Sequence, residues 1–515
     1  MLSRTGLALL AGVLLAQAFE PVGLVVLLPV GIMGLALAVR GLPARRAWLP
    51  GLAFGLGFHL VLLFWMRVVG YDAWLALAGL QAAFHAPLGV LAAWVMRLRG
   101  GPVWFAAAWV AVETVRSSWP FSGMPWGRLA YATGDTLWQD ALPWVGMTGL
   151  SFLLALLGAL AAEVVARTGR ARVVAAAVAG GVAVVSLVPA LTAYPVPTVG
   201  DRQVAVVQGD VPGDGSDILL DHRQVTRNHV EATVALAGDV RAGRAPAPDF
   251  VVWPENSTAV DPFRTADVNA AIRSASDAIG VPVLVGAMVD SGPENVLNQS
   301  IVWEPGVGAT DRYTKWHPVP FGEYIPWRGV FQENFGRLAL IPRDMLSGTR
   351  EEPIVLGDTP VAAAICFDVA YDDGIHAQLL RGGQLVVVQT SNAMFIHTNQ
   401  IDQQFEISRL RAVETGRHVL VAATNGVSGV IAPDGEVVAR AGTRTQAVLQ
   451  EQVSLATGIT PAVRLGAWPG RVAVVATLVA AAWSVLTYRR PRPGEGVDDE
   501  LGRADRDGRP DLQRA

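Results

Sequence analysis

Two side-chain types occur once each in this chain of 515 residues: of its 40 basic residues 39 are arginine and one is Lys315, and the single thiol is Cys366. A drift toward arginine explains the 39 but not the exception. A lysine persists against such a drift by chance, or because the position needs a compact ammonium that a planar guanidinium fork cannot replace. A single cysteine excludes an intramolecular disulfide framework and a cysteine-rich metal site. It leaves a nucleophile or a small buried hydrophobe. Acyl transfer through a thioester needs a thiol, a base to take its proton, and a positive charge where the tetrahedral oxyanion develops. Glu255, at the end of FVVWPE, is the candidate base; read alone, a Pro-Glu after a strand is a turn or a helix cap. A carboxylate near a cation and away from water has its pKa tuned for proton transfer. Neither a GxSxG serine elbow nor an HExxH zinc motif competes for the role.

Glu255 and Cys366 directly follow short apolar, β-branched runs, and Lys315 lies in YTKWHPVPFGE after such a run. On layered sheets, sites collect at strand ends of this kind. The runs QVAVVQGD, DFVVWPE, VPVLVGAM, NQSIVWEP, PVAAAICFD, QLVVVQTSN and HVLVAATN read as strands. Segments 219–242, 263–279, 372–381 and 400–416 read as helices. Several strands are apolar throughout, as in sheets covered on both faces, so residues 200–465 are expected to form an α/β or α+β layered domain.

The remainder is of another kind. Residues 1–199 hold 18 of the chain's 84 charged side chains, and runs long enough to approach a ~30 Å hydrocarbon core recur there. They fall at 5–19, 22–39, 49–69, 73–96, 103–118, 145–166 and 173–193, with an eighth at 471–488. Glu20 and Pro21 lead from the first run into the second without a small-residue cleavage site, which favours a retained hairpin over a signal peptide. Arg4, Arg40, Arg45, Arg46, Arg97, Arg99, Arg167, Arg170, Arg172, Arg489, Arg490 and Arg492 flank one set of helix ends. The alternate loops carry only Arg67, Arg116 and Arg128. The positive-inside rule then places both termini in the cytoplasm and residues 200–465 outside. The expected organisation is a seven-helix membrane domain at 1–199, a catalytic domain at 200–465, a last transmembrane helix at 466–490 and a disordered tail at 491–515. A net charge of −4 without a basic patch argues against nucleic-acid partners. Glu113 and Arg116 are spaced to pair with each other. His59 and His85 lack companions at ligand spacing, so no metal is expected.

The order of glutamate in WPEN, lysine in YTKWHPVPFGEYIP and cysteine in ICFD resembles the Glu-Lys-Cys triad of the nitrilase superfamily, whose fold is an αββα sandwich. PFGEYIP, the segment SGMPWGRLAY and a nitrilase-like domain between the seventh and eighth membrane runs are similar to the apolipoprotein N-acyltransferase family, over roughly residues 1–488. The resemblance implies Glu255 as general base, Lys315 at the oxyanion, Cys366 as nucleophile and Glu323 as an auxiliary carboxylate beside the lysine. It implies no cofactor and a monomer in the bacterial inner membrane, with its catalytic domain facing the periplasm. The donor would be a phospholipid such as phosphatidylethanolamine, and the acceptor the amino group of S-diacylglyceryl-cysteine on an apolipoprotein.

The chain departs from the family pattern in three places. SNAMF at Ser391–Phe395 lacks an acidic residue, Phe367 and Asp368 stand where Tyr and Glu are common, and PGDGSDILL lacks an aromatic. These departures bear on substrate contacts, for which Phe367, Asp368, Trp327, Phe331 and Trp126 are the candidates. The run 324–342, with Trp327 and Phe331, reads as an interfacial arm for acyl chains or as an ordinary loop and core helix. Trp126, in WPFSGMPWGRLAY, suits an interfacial aromatic belt, and a substrate-lining role for it rests on the resemblance. Two other readings stay open: a membrane-tethered amidase that uses the same triad with water as acceptor, and a transporter or receptor whose outer domain binds solute.

Overall fold

The computed structural model describes residues 1–192, 194–217, 221–330, 338–339 and 341–488. The first half is helical: α1 (Leu2–Ala16), α2 (Leu27–Val39), α3 (Ala44–Leu62), α4 (Tyr71–Ala83), α5 (His85–Val95), α6 (Gly101–Arg116), α7 (Leu142–Ala166) and α8 (Gly169–Ser186). Gly12 of α1 lies against the Phe54 carbonyl of α3, and Gly51 of α3 against the His85 carbonyl of α5, so a Cβ at either position would meet backbone. Small residues at such crossings let apolar helices approach closely enough to pack by dispersion. The run expected as one helix at 73–96 is divided at Phe84 into α4 and α5. Pro87 is the physical reason, because it has no amide to donate to the Ala83 carbonyl. Among the described residues, 71–95, 139–166, 169–186 and 468–487 are long and apolar enough to cross a membrane, while α1 and α2 are apolar but shorter.

The α/β part follows. Its first sheet contains β1 (Thr198–Gln208), β2 (Phe250–Val252), β3 (Val283–Ser291), β4 (Asn295–Glu304), β5 (Gly308–Thr314) and β6 (Asp344–Met345). The second contains β7 (Ile354–Leu356), β8 (Thr359–Ile365), β9 (Leu385–Thr390), β10 (Val419–Ala423), β11 (Gly429–Ile431) and β12 (Val437–Arg440). The chain returns to the first sheet through β13 (Ala447–Ala456), giving the order β13-β1-β2-β3-β4-β5 with β6 beside β4; the second order is β12-β11-β10-β9-β8-β7. Each sheet has three parallel central strands, β1-β2-β3 and β8-β9-β10, flanked by antiparallel ones.

Period-two alternation explains the layers. Val204, Val206, Phe250 and Val252 meet Val361, Ala363, Ile365 and Val387 between the sheets. The alternate residues Ala205, Val207, Val251 and Trp253 pack with Leu236 of α9 (His222–Arg241) and Ile272 of α10 (Ala266–Ile279). On the far face of the second sheet lie α11 (Asp373–Leu380) and α12 (Gln400–Thr415), which completes the αββα sandwich expected from the sequence.

The layer formed by α12 does not end at solvent. Ala364, Val388, Leu410 and Val413 belong to one apolar cluster with Phe54, Trp109 and Leu154 of the membrane half. Polar residues of α12 are buried with it, and they find partners: Gln403 accepts from the Trp65 and Trp126 indole N–H groups at 3.1 and 2.7 Å and donates to the Glu20 carbonyl at 2.9 Å. A short helix α13 (Pro461–Leu465) packs on α7, and α14 (Trp468–Tyr488) packs on α6. The expected tail at 491–515 lies outside the described residues.

Candidate active site

Cys366 follows β8 and opens a single 3₁₀ turn, Cys366–Ala370, with a left-handed backbone at φ +53°. A strand-to-turn junction in that conformation is strained for a residue with a side chain. Glu255 stands past the end of the parallel strand β2, and Ser391 directly after β9, so the strand ends converge as expected for a layered sheet. The expectation for Lys315 omitted one element. β5 intervenes after NQSIVWEP, and Lys315 is the first residue beyond it. Its amide donates to the Asn298 carbonyl on β4 at 2.9 Å and its carbonyl accepts from the Gly348 amide at 2.8 Å, which fixes the lysine backbone on both sides.

The Lys315 side chain is fully buried, with Nζ 2.6 Å from Glu323 Oε1 and 3.5 Å from Glu255 Oε1. Glu255 Oε1 also accepts from the Asn298 side-chain amide at 2.7 Å, and its Oε2 from the Ser391 amide at 2.8 Å. Glu323 Oε2 accepts from the Val319 amide at 2.8 Å. Each carboxylate is thereby held with one oxygen toward the ammonium. Burial opposes the lysine's charge, but Glu323 and Glu255 outweigh it and hold its pKa well above the ordinary value. Burial likewise raises the Glu323 carboxyl, with Lys315 opposing the rise.

Cys366 is partly exposed. Burial and the charge of Glu255 push its thiol up to about 12, against the pull of Lys315 and a hydrogen bond from the Thr390 hydroxyl. Such a thiol is neutral near pH 7, so it becomes a nucleophile only as its proton passes to a base. A neutral thiol, a carboxylate and a buried ammonium within mutual electrostatic reach form the set that thioester chemistry requires. Among the described residues no cluster of His, Cys, Asp and Glu is suited to hold a metal ion.

The candidate contact residues separate. Phe367 stacks on Trp126 at 5.9 Å between ring centroids and 24° between planes, so the membrane half reaches the residue beside the thiol. Trp327 is exposed and meets Phe121 edge-on at 4.9 Å. Phe331 lies outside the described residues. Asp368 does not face open space: it is buried and accepts from the His317 amide at 2.8 Å, the Trp316 amide at 3.2 Å and the Tyr313 hydroxyl at 3.0 Å. Its oxygens tie the lysine-bearing loop to the cysteine turn. Glu113 and Arg116 do not pair either. Arg116 donates to the Met124 and Trp126 carbonyls at 3.0 and 2.7 Å, and Glu113 faces Arg128 at 3.7 Å.

Sequence reasoning missed Asn298, Ser391 as an amide donor, and Arg411. The Arg411 guanidinium is fully buried and donates to the Val369 and Ala370 carbonyls at 2.9 and 3.1 Å. An arginine on an otherwise polar helix gives no signal of such a role.

Residues 11–160 match the model of the apolipoprotein N-acyltransferase N-terminal domain, and residues 203–460 match that of carbon-nitrogen hydrolases. Apolipoprotein N-acyltransferase from Mycolicibacterium smegmatis is 36% identical over 469 residues, covering 86% of this chain and 78% of the relative. The enzyme of that name from Methylococcus capsulatus is 30% identical over 491 residues, covering 90% and 92%. An amidase from Nesterenkonia sp. aligns with a TM-score of 0.36 at 17% identity, covering 53% of this chain and 96% of the amidase. With both family models matched in order along the chain and a 36% identical relative spanning most of it, the chain belongs to the apolipoprotein N-acyltransferase family.

Proposed function

We propose that this membrane enzyme moves a fatty acyl chain from a phospholipid to the N-terminal amine of an S-diacylglyceryl-cysteine apolipoprotein, through a thioester on Cys366. The observation that carries the reading is Lys315, buried between Glu255 and Glu323 beside a thiol on a strained turn. In the first half-reaction Glu255 takes the thiol proton as Sγ attacks the ester carbonyl. The oxyanion develops opposite Lys315, whose compact ammonium Glu323 holds in place. Collapse breaks the C–O bond, and the protonated Glu255 returns the proton to the departing lysophospholipid oxygen. In the second half-reaction the acceptor amine attacks the thioester, Glu255 takes the amine proton, and collapse breaks the C–S bond. The thiolate then recovers that proton.

Both substrates are lipid-anchored, which supports a site seated against membrane helices. Phe367, the residue beside the thiol, stacks on Trp126 of the membrane half, and exposed Trp327 with Phe121 offers apolar surface to an acyl chain. The arginine asymmetry supports eight spans, both termini cytoplasmic and residues 200–465 on the periplasmic side of the bacterial inner membrane. A reporter fused at Arg490 and active only in the outer compartment would refute that orientation. The activity is tested by incubating detergent-solubilised protein with acyl-labelled phosphatidylethanolamine, then adding a diacylglyceryl-cysteine peptide. Label is expected on the protein first and on the peptide amine after the chase. Release of free fatty acid at the same rate with and without peptide would mark a hydrolase instead.

A further inference from the structure

The turn that carries Cys366 is secured by residues of the membrane half. Six residues after the thiol, Asp372 Oδ1 and Oδ2 accept from Arg128 Nη1 at 2.8 and 2.9 Å, across 244 positions of sequence. The same Oδ1 accepts from Arg411 at 2.7 Å. Arg128 is buried and fastened behind: its Nη2 donates to the Thr148 hydroxyl of α7 at 2.8 Å, and its Nε lies 3.7 Å from Glu113 of α6. Two tyrosines close the same junction. The Tyr131 hydroxyl donates to the Ala370 carbonyl at 2.6 Å, and the Tyr371 hydroxyl to the Gly123 carbonyl at 2.8 Å. Burial opposes ionisation of Asp372, but Arg128 and Arg411 outweigh it and hold the carboxyl well below the usual range.

A left-handed cysteine persists only where its surroundings over-determine the backbone, and the described contacts locate much of that restraint in the membrane half. We propose that Arg128 is a positioning residue for the nucleophile: by clamping Asp372 to α6 and α7 it fixes the turn that aims Cys366 at the acyl carbonyl. The proposal rests on the assignment of Cys366 as the nucleophile. It also makes the α/β domain incomplete without the membrane half.

Arg128→Met in the full-length, detergent-solubilised protein tests it, because Asp372 keeps its bond to Arg411 and is not left as an unpaired charge. Acylation of Cys366 by labelled phospholipid at saturation is expected to slow roughly 10- to 100-fold, as for reacting groups misplaced by about 1 Å. KM for the phospholipid is expected to stay within about threefold, and Arg128→Lys, which keeps the charge but not the fork, to fall between. If Arg128→Met does not fold, Asp372→Asn retains an acceptor for both arginines and is expected to slow acylation with KM unchanged. Rates within about threefold of the parent in the folded variants, or a loss appearing only in KM, would overturn the proposal. Failure of the parent itself to acylate Cys366 would instead remove the nucleophile assignment, so the two failures are distinct.

Discussion

Lys315→Arg conserves the charge at the centre of the site and changes only its shape. The ammonium is fully buried, 2.6 Å from Glu323 and 3.5 Å from Glu255. Because the charge is retained, both carboxylates keep a partner, and the ~3–5 kcal/mol penalty of stranding a buried charge does not arise. The guanidinium is bulkier and planar, and forcing it into this packed site costs roughly 1–3 kcal/mol of stability. A chain that stays folded then has its cation displaced by about 1 Å, which costs ~10²-fold in rate. Losing an oxyanion donor outright is of similar or greater size, ~10² to 10³-fold, or about 2.7–4 kcal/mol. Single-turnover acylation of Cys366 by labelled phospholipid is therefore expected to slow at least about 100-fold, with membrane insertion unchanged. A rate within about threefold of the parent would show that Lys315 supplies only charge, and would refute the reasoning.

Two further outcomes follow from the electrostatics. Glu255 raises the thiol pKa of Cys366, so Glu255→Gln is expected to lower it and to speed iodoacetamide labelling of Cys366 near pH 8, while acyl transfer falls ~10² to 10⁴-fold for want of a base. Labelling that slows or stays constant would contradict the assigned charge balance. His317 is held up at about 9: burial lowers it, but Asp368 and Asp373 outweigh burial. Because the folded pKa lies above the ordinary ~6.5, its stabilisation is complete below about pH 6.5 and lost as pH rises through about 9. The Tm advantage of the parent over His317→Gln is expected to shrink between about pH 7 and pH 10; an advantage that grows would reverse the sign.

Among the described residues the seven expected strands and four expected helices of the α/β part occur, with 219–220 of the first helix outside them, because apolar β-branched runs and polar helical stretches report directly on burial. Glu255 and Cys366 were legible as strand-end residues for the same reason. β5 was not, since GATDRYT is a polar strand at the sheet edge whose pairing with β4 supplies what its composition does not. Burial of α12 was likewise invisible, because Gln403 finds its partners in tryptophans and a carbonyl of the distant membrane half. The Arg128–Asp372 pair joins positions 244 apart, and no local pattern announces it. Asp368 stands out as a departure from the family pattern, and its hydrogen bonds from residues 313, 316, 317 and 365 were not legible in the sequence.

The central claim is that Cys366 carries the acyl chain, and peptide mass mapping after incubation with a phospholipid of known acyl length tests it directly. The account predicts one acyl mass increment on the Cys366 peptide, labile to neutral hydroxylamine as a thioester is, and absent from Cys366→Ala. An increment on any other residue, or transfer to the acceptor amine by Cys366→Ala at the parent's rate, would contradict it.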